Sequence, residues 1–187
     1  MRDFKVIGLM SGSSLDGVDI AYVNFSHDNK RWFFQIVEAG NVPYTSYWKE
    51  QLAEAFSKNE KELEQLGIEY GKYLGTITKK FIEKYELEPK LSASHGHTIV
   101  HRPEEKYTLQ IGDGQQIADA TSIMTINDFR TEDVTKGGQG APLVPIGDRH
   151  LFAEFPICLN IGGIANVSYE MNDKRIAYDI CIANQLL

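Results

Sequence analysis

The same pattern opens and closes this chain: two apolar runs joined by a glycine-bearing turn. Residues 4–9 are mostly apolar, the stretch Met10-Ser11-Gly12-Ser13-Ser14-Leu15-Asp16-Gly17-Val18-Asp19 follows, and residues 20–25 form a second apolar run. Near the other end, residues 157–161 and 164–169 flank Gly162-Gly163, and residues 175–180 read as a further strand after the turn Asn172-Asp173-Lys174. Apolar runs of this length bounded by Gly and Ser are hairpin signals, so the chain is required to build two antiparallel units. Gly12 and Gly17 are expected to supply backbone angles that a Cβ forbids, letting N–H groups converge, with hydroxyls from Ser11, Ser13 and Ser14. Such a loop suits a polyphosphate. Asp16 in the same loop would repel phosphate unless a divalent cation, Mg²⁺ in the usual case, lay between them. One loop of this composition is more often a solvated turn, and the reading depends on what the other loops add.

Between the two hairpins the pattern changes to that of an α/β chain. Strands are expected at 4–9, 18–25 and 32–39, forming a meander. A helix is expected over 46–57, with Trp48, Leu52, Ala55 and Phe56 on one side. A longer one over 60–85 repeats Leu63, Leu66, Tyr70, Tyr73, Leu74, Ile77, Phe81 and Ile82 at three- and four-residue steps. A short strand at 91–94 then runs into His95-Gly96-His97-Thr98, where α/β folds place their sites. His95, His97 and His101 lack a Cys or carboxylate at ligand spacing, which favours hydrogen bonding to a polar ligand over metal binding. Further strands are expected at 107–111 and 123–126, with a helix over 115–121. Asp113, Asp128, Arg130 and Asp133 fall at or just beyond strand ends, where a carboxylate beside an Arg stays ionised and is able to take a proton. Gly137-Gly138-Gln139-Gly140 reads as a second flexible loop, and Pro145 marks the entrance of a helix running to Phe152.

Charge limits the partners. A formal net charge of −7 with no dense Lys/Arg cluster argues against nucleic acid, and the sequence contains no apolar window of membrane-spanning length. With two cysteines, Cys158 and Cys181, in apolar surroundings, reduced core thiols in a cytoplasmic protein are expected.

Five segments in one order carry a specific likeness. They are the loop from Gly8 through Asp19, Thr108-Leu109-Gln110-Ile111-Gly112-Asp113, Asp128-Phe129-Arg130 with Asp133, Gly137-Gly138-Gln139-Gly140-Ala141-Pro142-Leu143-Val144-Pro145, and Asn160-Ile161-Gly162-Gly163-Ile164-Ala165-Asn166. Together they resemble the anhydro-N-acetylmuramic acid kinase family. That resemblance implies a ribonuclease H-like, actin-like ATPase lobe, as in sugar kinases, Hsp70 and actin, with a mixed sheet flanked by helices. It covers this chain but about the first half of such a kinase, so residues 1–187 read as the N-terminal lobe of two, with the start of an interdomain helix at Gln185-Leu186-Leu187. The implied reaction is cell-wall recycling: water opens the bridge of 1,6-anhydro-N-acetylmuramic acid and ATP phosphorylates the freed oxygen. The implied cofactors are ATP and Mg²⁺, the partner a small anhydro-amino sugar, and the assembly often a homodimer.

Carried over by position, Gly12, Ser13, Ser14, Leu15, Asp16, Gly17, Val18 and Asp19 would hold ATP phosphates, with Asp16 toward the metal and Gly162 and Gly163 forming a second phosphate turn. Asp133 would be the base, oriented by Arg130 and Asp128, while His97, Thr98 and Asp113 would line the sugar cleft. Two segments depart from the family pattern. His97 stands where Gln is usual, and Asp179-Ile180-Cys181-Ile182 where Asp-Thr-Gly-Pro is usual. A noncatalytic sugar- or nucleotide-binding fragment of the same fold is the alternative. The kinase reading requires the turns at Ser13 and Gly162 to face one another across a shared sheet.

Overall fold

The computed structural model describes residues 2–12 and 14–183, so Ser13 and the helix start expected at 185–187 lie outside the described residues. Among the described residues ten strands and five helices form; the expected elements appear in their expected order, and a strand at His97–Arg102 and a short helix at Thr131–Thr135 are additions. Strands β1 (Arg2–Ser11), β2 (Gly17–His27) and β3 (Trp32–Pro43) make the first meander. Helices α1 (Ser46–Ala53) and α2 (Glu60–Lys84) follow, then β4 (Leu91–Ser94), the hairpin β5 (His97–Arg102) and β6 (Tyr107–Ile111), and α3 (Gly114–Thr121). The rest comprises β7 (Thr125–Ile126), α4 (Thr131–Thr135), α5 (Val144–Leu151), β8 (Ile157–Ile161), β9 (Ile164–Met171) and β10 (Lys174–Ile182).

The sheets are separate. One has the order β3-β2-β1-β4-β7, antiparallel through the meander and parallel from β1 to β4 to β7; the other has the order β10-β9-β8, and β5-β6 form a third pair. The two glycine turns therefore belong to different sheets, and the expectation of a shared one is corrected. Each turn nonetheless follows the first strand of its meander, so the opening arrangement is repeated element for element.

Alternation along the first meander decides what each face carries. Ile7, Leu9, Val18, Ile20 and Tyr22 point into one core with Leu66, Tyr70, Leu74, Ile77 and Phe81 of α2 and Ile117 of α3. Full burial of a large side chain stabilises by about 1.5–3 kcal/mol, and this face holds the main cluster of such side chains. The helix α2 starts at a capping box, Asn59 with Glu62, and its Tyr70 hydroxyl donates to Ser11 Oγ at 2.8 Å beneath the first loop. Ser11 is thereby committed inside the core rather than offered to a ligand. Helix α5 is fastened to the second meander by Asp148, which accepts from Ser168 Oγ and lies 3.7 Å from Arg175.

Three expectations fail locally. The first helix ends at Ala53, a single 3₁₀ turn covers Ala55–Ser57, and Phe56 is 77% exposed, because the helical phase is lost after Glu54. The strand expected over 123–126 shrinks to Thr125–Ile126. Cys181 is exposed rather than in the core, on a sheet whose outer residues Ile157, Leu159, Ile161, Ile180 and Ile182 are each more than half exposed.

Candidate functional site

The opposite face of the first sheet is lined by residues too small to fill it. Ala21, Gly8 and Ala93 sit side by side across β2, β1 and β4, and form the floor of a cavity of about 750 Å³. Gly12 and Asp19 stand at one rim, His95 and Arg130 at another, and Gly162, Gly163, Asn160, Asn166 and Asp179 come from the second meander. Pro142, Val144 and Ile146 close the side formed by the entrance of α5. Both glycine turns thus face one space, although from different sheets.

The glycines act differently from expectation. Neither Gly12, Gly17 nor Gly162 has a positive φ, and the left-handed residue of the first loop is Leu15, with φ 56°. Gly17 is required by space instead, since a Cβ there would lie 2.5 Å from the Val42 carbonyl oxygen. In the loop itself Ser14 Oγ donates to Asp16 Oδ1 at 2.8 Å, and both residues are exposed. Asp16 is absent from the cavity wall, where Asp19 stands with Oδ1 accepting from Asn41 Nδ2 at 2.9 Å. Among the described residues no three His, Cys, Asp or Glu side chains converge as a metal cage. A phosphate-borne Mg²⁺ needs one or two carboxylates and no such cage, so this donor set fits it.

Arg130 reaches the wall and Asp133 does not. Arg130 Nη1 donates to the Gly140 carbonyl at 2.6 Å, and its Nε and Nη2 approach His95 Nε2 at 3.2 and 2.8 Å. Asp133 Oδ2 accepts the Gly140 N–H at 2.7 Å, and a Cβ on Gly138 would lie 2.2 Å from that carboxylate oxygen. Its carboxylate therefore organises the 137–140 loop, where Gly137 and Gly140 have φ 91° and 65°. Asp128, itself at φ 56°, caps the Thr131 N–H from Oδ1 at 3.2 Å and is exposed.

The residues expected at the sugar cleft do not gather on this wall. Asp113 caps α3 through Gln115 N–H at 2.8 Å and lines a second cavity beside α2, with Gln110 and Asn127. Thr98 is half-buried on β5. His97 is 5% exposed, with Nδ1 3.4 Å from Ser11 Oγ. Of the wall residues, sequence reasoning passed over the small-residue floor, named His95 as a hydrogen-bonding candidate, and named Asp179 only within a departure from the family pattern. The floor has a signal, because Gly8 and Ala21 interrupt the bulky apolar residues of their strands at the alternate phase. Asp179 is placed by a β-bulge that only the folded strand shows, in a strand paired to the second glycine hairpin.

Burial pushes the His97 imidazole down to about 4, with His95 adding a smaller push in the same direction. The unfolded chain takes up a proton near pH 6.5 that the folded chain refuses until about pH 4, so stability is retained above this window and lost as pH falls through it. At about 1.4 kcal/mol per tenfold change in proton affinity, the loss approaches about 3 kcal/mol. Urea unfolding at pH 7 and pH 4.5 should show that loss in the unmodified chain and a smaller one in His97→Gln; equal losses would contradict it.

Comparison with known proteins gives a consistent result. A family profile described as anhydro-N-acetylmuramic acid kinase matches residues 4–187. The chain is 38% identical to a curated protein of that name from Pasteurella multocida, covering 97% of this chain and 50% of the relative. It is 39% identical to one from Shewanella loihica, covering 100% and 53%, and 37% identical to one from Pseudoalteromonas translucida, covering 88% and 45%. The chain spans about half the length of the curated relatives it matches.

Proposed function

The chain belongs to the anhydro-N-acetylmuramic acid kinase family, and from that membership we propose that it forms part of a cytoplasmic, ATP-dependent kinase for an anhydro-amino sugar. The observation that carries this reading is that Gly12, Gly162 and Gly163 line one cavity with Arg130 on its wall. The five-stranded order β3-β2-β1-β4-β7, followed by a second meander, suits an actin-like ATPase in which nucleotide lies between two related units. In this proposal residues 1–187 are the N-terminal lobe, and the apolar outer residues of β8 and β10 meet the rest of the protein, which is the other half of its relatives' length. A homodimer is compatible with it.

Chemically, the reaction is 1,6-anhydro-N-acetylmuramic acid plus water plus ATP giving N-acetylmuramic acid 6-phosphate plus ADP. The water oxygen bonds to the anomeric carbon as the bridge oxygen leaves it; that oxygen takes the γ-phosphoryl group, and the water proton passes to a carboxylate. Backbone amides of the turns at 12–17 and 162–163, with Ser13 and Ser14, hold the phosphates, since phosphoryl transfer depends chiefly on positioning and charge neutralisation. Mg²⁺, brought with the phosphates, supplies charge neutralisation. Asp19 is better placed than Asp16 to hold it, standing on the wall. Arg130 binds an anionic group, and Asp128 fixes the entrance of α4.

For the proton acceptor the geometry favours Asp179, which faces the cavity, over Asp133, whose carboxylate would first have to release Gly140. His97, Thr98 and Asp113 contribute to the sugar site in this proposal only if the ligand extends beyond the first cavity. A coupled assay for ADP release with the anhydro-sugar tests the reading. It should be run on this chain and on a version joined to the remaining half of a relative. Sugar-dependent ADP release in the joined version supports the kinase, and none in either form supports the noncatalytic binding fragment.

A further inference from the structure

His95 stands at the end of β4, where its backbone N–H donates to the Leu9 carbonyl at 3.1 Å. Its ring has one partner on each nitrogen. Nδ1 lies 2.9 Å from the Gly96 carbonyl oxygen, which only accepts, so Nδ1 carries the proton. Nε2 lies 2.8 and 3.2 Å from Arg130 Nη2 and Nε, which only donate, so Nε2 is the acceptor. The ring is therefore neutral in one tautomer. Gly96 makes this arrangement available: it has φ 69°, and a Cβ there would lie 2.5 Å from the Ile111 carbonyl oxygen. Burial lowers the His95 pKa, against the Gly96 carbonyl, which raises it, and with the Arg130 charge, which lowers it further; the net direction is down, in keeping with a neutral ring.

The hydrogen bonds run as one string. Leu9 beside the first glycine loop holds His95, His95 holds Arg130, Arg130 holds the Gly140 carbonyl, and the Gly140 N–H is held by Asp133. Among the described residues three of the five guanidinium N–H donors are used in this way, and two are left for the cavity that Arg130 lines. We propose that His95 is a positioning residue, which in its neutral Nδ1-protonated form aims the free Arg130 donors at an anionic group in the cavity. The inference rests on the reading of that cavity as the ligand site. A protonated His95 would have no lone pair for Arg130 and would place a second cation against it.

Two measurements on this chain, without nucleotide or sugar, test it apart from catalysis. Nitrogen-15 NMR of the histidine rings at pH 7 should find His95 protonated on Nδ1 with a bare, hydrogen-bonded Nε2; an Nε2-protonated ring or an imidazolium overturns the proposal. The Arg130 Nε–H should exchange with solvent slowly in the unmodified chain and in His95→Gln, whose amide oxygen also accepts. In His95→Leu, which keeps the bulk but lacks the acceptor, exchange should be at least tenfold faster. Equal rates in His95→Leu and the unmodified chain, or loss of protection in His95→Gln, count against it. If His95→Leu does not fold, the tautomer measurement on the unmodified chain still decides.

Discussion

Gly71→Ala is expected to destabilise the chain by about 2–3 kcal/mol, against the roughly 1 kcal/mol of stabilisation that helix propensity alone would give. Gly67, Gly71 and Gly75 recur every four residues along α2 and share one face. On that face α2 approaches the β6–α3 junction closely enough for the Gly67 carbonyl to accept the Asp113 N–H at 3.0 Å. A Cβ on Gly71 would lie 2.5 Å from the Asp113 carbonyl oxygen and 2.9 Å from its nitrogen, both backbone atoms. Asp113 has little freedom to retreat, because its side chain also caps α3. The collision therefore outweighs the propensity gain. Gly147, in α5 with nothing within 4 Å of an added Cβ, is the control, and Gly147→Ala should be neutral or slightly stabilising. Urea midpoints of both variants check this, and a Gly71→Ala chain as stable as the parent would contradict the packing described.

The second large effect concerns turnover. In an active form that includes the other half of a relative, Asp179→Asn should lower turnover by about 10²–10⁴-fold, the usual contribution of a general base. Asp133→Asn should cost far less, about tenfold or under, because an amide oxygen still accepts the Gly140 N–H that the carboxylate holds here. The opposite ranking would mean that the 137–140 loop opens during the reaction and that Asp133 is the proton acceptor.

Much of the fold was legible because it follows from local patterns. Alternation marked β1, β2 and β3, the 3.6-residue period marked α2 within a residue of its ends, and glycine pairs marked both hairpins. What escaped depends on distant partners. The loss of helix at Ala55–Ser57 leaves Phe56 outside a core that its spacing alone would place it in. The separation of the meanders into two sheets follows from β1 pairing with β4, across more than eighty residues of sequence. The glycine stripe of α2 was hidden within an apolar pattern that reads well without it.

The site was legible as a set of loops and less so as a set of side chains. Strand ends pointed to the turns at Gly12 and Gly162 and to Arg130, which line the first cavity. Spacing could not tell that the Asp133 carboxylate would be taken up by its own loop, or that His97 would be buried against Ser11. Gly8 and Ala21 are legible as small residues within their strands, but the row they make with Ala93 exists only once β1 has neighbours on both sides.

In the proposed function one polyphosphate spans two glycine turns from separate sheets. Titration of this chain with MgATP, followed through backbone amide NMR signals, tests it most directly. Amides at 12–17 and at 162–163 should shift together, along one binding curve, with the distal end of the first meander near Trp32 unaffected. Shifts confined to one turn, or two turns responding at different affinities, would contradict it.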